Sequence, residues 1–120
     1  MARGDDIEER LIDFAVRIVR VSEALSDRSA GRHVRVQLLR CGTSPAPNYA
    51  EARGAESSKD FVHKFRIVLK ELNETRVWLK IVIRAEMLPG KRLDDLLDEC
   101  DQLCRIISAS IQTSRQTTPN

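Results

Sequence analysis

Phe61, Phe65, Val68, Leu72, Thr75, Leu79 and Val82 recur at steps of three and four residues, the spacing of one face of an α-helix. Ile67, Trp78 and Ile81 widen that face beyond a single seam, so this helix has more than one neighbour to touch. A second seam precedes it: Ala30, Val34, Leu38, Cys41, Pro45, Asn48 and Ala52 follow the same steps. Two consecutive amphipathic runs of this kind, each needing cover, restrict the chain to a helical bundle.

Polar residues interrupt both seams. Glu71 lies over Ile67 and Val68, and Glu74 stands between Ile67 and Trp78. A carboxylate in such a place must be paired, hydrogen-bonded or protonated, because desolvating it alone costs several kcal/mol or more. Asn48 falls on the Leu38–Cys41 seam, with Glu51 nearly one turn on. The expectation is a structural polar network in which Asn48 and Glu51 meet Glu71, Glu74 or an arginine across the interface. Two alternatives are glutamates that snorkel to solvent and a small-molecule site built from the same four residues.

At 120 residues the chain is one domain, 1–120, large enough for a real core. Alternating β-branched runs are few, which argues against strands. No apolar stretch approaches the ~20 residues that span a bilayer, and the acidic start, Asp5-Asp6, lacks a secretory core. Three cysteines, an odd number, fit a reducing compartment. The location expected is cytoplasmic, with no membrane partner.

Four helices follow in order, expected at about 5–25, 29–54, 58–88 and 91–112, giving an all-α, antiparallel up-down-up-down bundle with a flexible tail at 114–120 and frayed residues 1–4. Leu93, Leu96, Leu97, Cys100, Leu103, Cys104, Ile107 and Ile111 form the stripe of the fourth, and Ile7, Leu11, Phe14, Ile18, Val21 and Leu25 that of the first. Ser29 or Asp27 is its successor's candidate cap. Pro45 and Pro47 each remove a helical hydrogen bond, so the second helix is expected to kink there while its seam stays in phase. Ser57-x-x-Asp60 reads as a capping-box start for the third, and Pro89-Gly90 as its stop.

Charge is uneven along the chain. Residues 1–27 carry a net −3, residues 28–55 a net +4, residues 56–88 a net +2 and residues 89–120 a net −1. Lys59, His63, Arg66, Lys70, Asn73, Lys80 and Arg84 share one side of the third helix with no acid among them. Arg28, Arg32 and Arg35 make a shorter stripe on the second. Such a row suits the phosphate backbone of RNA or DNA. Its plainer reading is a solvated helix face, in keeping with an overall charge of only +2.

Catalytic and metal chemistry finds little here. Cys41, Cys100 and Cys104 fall on apolar stripes, where a thiol behaves as a small hydrophobe rather than a zinc ligand. His33 and His63 lack an orienting acid at useful spacing. No Glu-x-x-His motif, phosphate loop or nucleophile elbow occurs. The expectation is a protein that is not an enzyme, with no cofactor and no metal.

Gly42-Thr43-Ser44-Pro45-Ala46-Pro47-Asn48-Tyr49-Ala50-Glu51-Ala52 resembles the small-residue segment G-[ST]-S-x-x-x-N-x-A-E-[AG] of bacterial four-helix-bundle proteins encoded in ribosomal-RNA intervening sequences. Asp60-Phe61, Leu69–Thr75 and Trp78-Leu79 resemble that family's second block, and the likeness spans about residues 7–110. Pro45 and Pro47 depart from it, standing where the family usually has Ile or Ala. The family is also similar to accessory proteins of diversity-generating retroelements. The resemblance implies a homo-oligomer, a pentamer with bundles around a central opening. The functional expectation is a cytoplasmic scaffold holding RNA or DNA backbone, beside a reverse transcriptase, through Lys59, Arg66, Lys70, Lys80 and Arg84, with Arg28, Arg32 and Arg35 second. The alternative is a protein–protein adaptor that touches no nucleic acid.

Overall fold

In a computed structural model of the chain, which describes residues 4–117, every regular element is helical. Helix α1 spans Gly4–Ala24, α2 Ser29–Thr43, α3 Pro45–Arg53, α4 Ser58–Arg84 and α5 Gly90–Thr117. Helices α2 and α3 are two segments of one rod bent at Ser44, so the molecule is a four-helix bundle measuring 50 × 24 × 21 Å. Rod α1 packs on the bent rod and on α5, and α4 packs on the same two neighbours. That leaves α1 and α4 on opposite corners.

The bend follows from local chemistry. Neither Pro45 nor Pro47 has an N–H to offer the preceding turn, and Pro45 instead opens α3 at its first position. Just past the second proline, the Asn48 N–H donates to the Ser44 carbonyl at 3.2 Å. Val34, Leu38, Cys41, Pro45 and Ala52 are all buried, so the seam stays in phase across the bend. Ala30, at its outer end, is exposed.

Close approach at two glycines sets how the first rods meet. A Cβ on Gly31 would lie 2.2 Å from the Ser26 carbonyl oxygen, and one on Gly42 would lie 2.6 Å from Ile18 Cγ2. The turn between these rods is not capped as the sequence suggested. Arg28, rather than Ser29 or Asp27, occupies the N-cap of α2, and its side chain makes no cap bond. The work falls to Arg35, whose Nη2 donates to the Leu25 and Ser26 carbonyls and pairs with Asp27.

Helix α4 begins as its sequence indicates: the Ser57 side chain accepts from the Asp60 N–H at 3.1 Å. It stops at Arg84, four residues short of the expected end at residue 88. There Glu86 takes a left-handed φ of 55°, Met87 N–H bonds the Val82 carbonyl and Glu86 N–H bonds that of Ile83. This Schellman closure satisfies the final carbonyls before the proline is reached. Helix α5 runs on to Thr117, five residues beyond the expected end at 112, so the first part of the tail at 114–120 is helical and only 118–120 lie outside the described residues. Gly4, placed among the frayed residues by sequence, is the first residue of α1, while residues 1–3 also lie outside.

The core takes the predicted stripes from every rod. Leu11, Phe14 and Ile18 of α1 meet Leu38 of α2, Val68, Leu72, Leu79 and Val82 of α4, and Leu93, Leu103 and Ile107 of α5 in one cluster, each essentially without solvent contact. At ~1.5–3 kcal/mol for each large side chain buried, this cluster is the main source of stability. A bidentate pair ties α1 to α5 at the bundle edge, with Arg10 Nε and Nη2 on Glu99 at 3.0 and 2.7 Å.

Candidate nucleic-acid interface and the seam beside it

Because Phe65, Val68, Leu72, Thr75, Leu79 and Val82 are buried, the opposite side of α4 must face outward. The structure places Lys59, His63, Arg66, Lys70, Asn73, Val77 and Arg84 exposed along that side, with Lys80 half-buried. Lys59 and Arg84 bracket about 37 Å of helix at the α-helical rise per residue. Ion pairs among the described residues use Arg10, Arg35, Arg40, Arg53, Lys64 and Arg76. None engages Lys59, Arg66, Lys70, Lys80 or Arg84. Their charge is therefore available to an external anion rather than spent within the fold.

The shorter stripe divides. Arg28 and Arg32 are exposed at the start of the bent rod. Arg35 is committed to the α1–α2 turn through the carbonyls and Asp27 described above. Spacing alone cannot distinguish a free cation from one that closes a turn, since both fall on the same helical side.

The four-residue polar network expected from sequence is three separate arrangements. Glu71 and Glu74 are brought together by Arg40, which reaches across from α2: Nη1 lies 3.3 Å from Glu71 Oε2, and Nη2 bonds Glu74 Oε2. Gln37 accepts from the same guanidinium at 3.1 Å, and Trp78 Nε1 donates to Glu74 at 3.2 Å. The bond to Glu74 is the chief reason that the Arg40 guanidinium holds its proton above its ordinary range. His33 meets the Trp78 ring edge-on at a centroid distance of 5.8 Å.

Asn48 takes no part in this cluster. Its Nδ2 donates to the Ser44 carbonyl at 3.0 Å and to Ser44 Oγ at 2.9 Å, so the amide staples the bend left by the prolines. Glu51 pairs instead with Lys64 at 3.2 Å, its side chain 59% exposed. The bend at Ser44 places these two residues on a segment of their own, away from the α2–α4 crossing. Sequence reasoning did not single out Arg40 or the His33–Trp78 pair. The available signal was that His33, Gln37 and Arg40 share one side of α2 at steps of four and three.

The thiols occupy three environments. Cys41 and Cys100 are buried and Cys104 is half-buried, all free. Burial pushes the Cys41 thiol up. Cys100 Sγ donates to the Leu72 carbonyl at 3.3 Å and Cys104 Sγ to Asn73 Oδ1 at 3.7 Å, and the interaction between the neighbouring thiols raises Cys100 and lowers Cys104. No group of three or more His, Cys, Asp or Glu able to hold a metal occurs among the described residues. An open cleft of about 700 Å³ at one end of the bundle is walled by Ile7, Tyr49, Phe61, Phe65 and Ile106. Arg53 at its rim is already paired with Asp5 and Glu8. No helix among the described residues is long and apolar enough to cross a membrane.

These features define a small antiparallel four-helix bundle with a bent second rod and an unpaired basic side on its third. More particularly, the chain belongs to the 23S rRNA-intervening sequence protein family, whose model matches residues 5–109. A crystal structure of a protein of unknown function from the S23 ribosomal protein family of Bacteroides thetaiotaomicron is similar at 31% identity. The likeness covers 91% of this chain and 97% of that one, with a TM-score of 0.84. No curated protein matches the chain.

Proposed function

We propose that the protein is a non-enzymatic, cytoplasmic, self-assembling scaffold that binds nucleic-acid backbone along the outer side of α4. The observation that carries this reading is the row of Lys59, Arg66, Lys70, Lys80 and Arg84 over about 37 Å without one acidic partner among the described residues. Phosphate binding needs such charge on one face and no base-reading groups. Membership of a family described by a 23S rRNA intervening sequence is consistent with an RNA ligand. Assembly into a closed ring, a pentamer by resemblance, would repeat the row around the molecule and multiply a weak single-copy affinity. A reverse transcriptase is the protein partner implied by the family's resemblance to retroelement accessory proteins, and co-purification of the two tests it.

The deciding experiment is a salt titration with labelled RNA and DNA of mixed sequence. Five phosphate contacts predict a log–log slope of about −4.5 on duplex DNA, and removing one lysine should reduce it by about one. Absence of binding at ~50 mM salt, where such contacts are strongest, would replace this reading by the adaptor that binds protein alone.

A further inference from the structure

The large apolar side chains that remain exposed fall into two groups on different sides of the molecule. Ile12, Val16 and Val19, at 39%, 42% and 36% exposure, lie one turn apart along the outer face of α1. Val36, Val77 and Ile81, at 62%, 51% and 40%, flank the α2–α4 seam where His33 meets Trp78. A bundle whose core is already complete has no internal use for either. Contiguous exposed apolar surface rimmed by polar groups marks an interaction site.

The rims carry opposite charge. Beside the α1 stripe stand exposed Glu9, Asp13 and Glu23 against a single exposed base, Arg20. Around the α2–α4 patch stand Arg32, Lys80 and Arg84, with exposed Glu86 just past the end of α4, while the acids of the seam itself, Glu71 and Glu74, are held by Arg40. Each patch therefore repels a copy of itself and attracts the other. We infer that the α1 face of one copy docks on the α2–α4 seam of the next, a head-to-tail contact rather than a two-fold one. Such a contact generates a closed ring or a filament, depending on the rotation between neighbours. This inference rests on the self-assembly in the proposed function and names the surfaces that produce it. It also assigns Val77, Lys80 and Arg84 to the contact, leaving Lys59, Arg66 and Lys70 open to nucleic acid in the assembly, so that the slope of about −4.5 belongs to a free copy and an assembled copy should show about −2.7.

Mixing two variants tests it. Val16→Arg sets a base against the basic seam, and Ile81→Glu sets an acid against the acidic face; both positions are on the surface, so the helical circular dichroism spectrum should be unchanged, while melting falls only by what the lost contact contributed. Light scattering after gel filtration should give an oligomer for the native chain and a 13.6 kDa monomer for each variant alone. An equimolar mixture should reassociate to at least twice that mass, because each variant keeps the one face that the other needs. Variants that stay oligomeric, a mixture that stays monomeric, or dissociation by one of the two variants but not the other would overturn the pairing while leaving assembly itself in place. A monomeric native chain would overturn both assembly and pairing. Binding of RNA by monomeric Val16→Arg, scored with and without Lys59→Ala and Lys70→Ala, separates the nucleic-acid reading from either result.

Discussion

Replacing Gly42 by alanine puts a methyl group 2.6 Å from Ile18 Cγ2 and 2.8 Å from its Cγ1. Carbon atoms pack comfortably at about 3.5–4.0 Å, so something must yield by about 1 Å. Ile18 cannot swing aside, being wholly buried in the core. The rods α1 and α2 must separate, which in a well-packed interior costs ~1–3 kcal/mol. Against this, alanine in place of glycine inside a helix gains up to ~1 kcal/mol. Only part of that gain applies at Gly42, which is one residue from the end of α2. The net expectation is a loss of ~0.5–2.5 kcal/mol, read as a melting temperature lower by roughly 2–10 °C for a chain of this size. Urea unfolding followed by circular dichroism should show a lower midpoint at unchanged slope.

Two further variants make that result specific. At Gly54 a Cβ would meet only the Glu51 carbonyl, at 3.7 Å, and φ is −95°. Gly54→Ala should therefore be neutral or stabilising by up to ~1 kcal/mol. Ile18→Ala alone should cost ~2–5 kcal/mol. Combined with Gly42→Ala it should cost less than the sum, since the new methyl then fills part of the space vacated, a coupling of ~0.5–3 kcal/mol. A Gly42→Ala protein as stable as the native one, or strict additivity with Ile18→Ala, would refute contact between the rods at this point.

Three other outcomes follow from local geometry. Glu86→Gly should stabilise by ~0.5–1 kcal/mol in thermal melts, because the left-handed conformation at this helix end suits glycine. Arg40→Ala should lower the melting temperature by stranding Glu71, and Glu71→Gln in that background should recover part of the loss. Cys104, half-buried and lowered by the neighbouring Cys100, should be alkylated by iodoacetamide in the folded protein, with Cys41 and Cys100 reacting only on unfolding. Since the lowered thiol ionises at lower pH than an ordinary one, its reactivity should persist further into the neutral range. Cys100→Ala, by removing the neighbouring thiol, should move that rate profile to higher pH.

The stripes of α1, α4 and α5 were readable from spacing alone, because burial of a helical face depends on composition at i, i+3 and i+4 and little else. Ser57 was readable as a cap for a similar reason: its bond to Asp60 spans three residues. The end of α4 was not, since Glu86 adopts by context a conformation that sequence assigns to glycine. Membership of the family was legible too, in the segment around Asn48 and Glu51 and in the block around Glu71 and Glu74. The roles of these residues were legible only in part.

Periodicity within each segment was enough to predict a four-helix bundle, its order of rods and the bend at the prolines, since these depend on neighbours in the chain. Which polar groups meet is a matter of how rods are rotated and set against one another, and no local pattern encodes that. So Arg40 holds Glu71 and Glu74 from 31 and 34 residues away, Asn48 turns back to its own bend, and Arg35 closes a turn while Lys59, Arg66 and Lys70 enter no ion pair among the described residues.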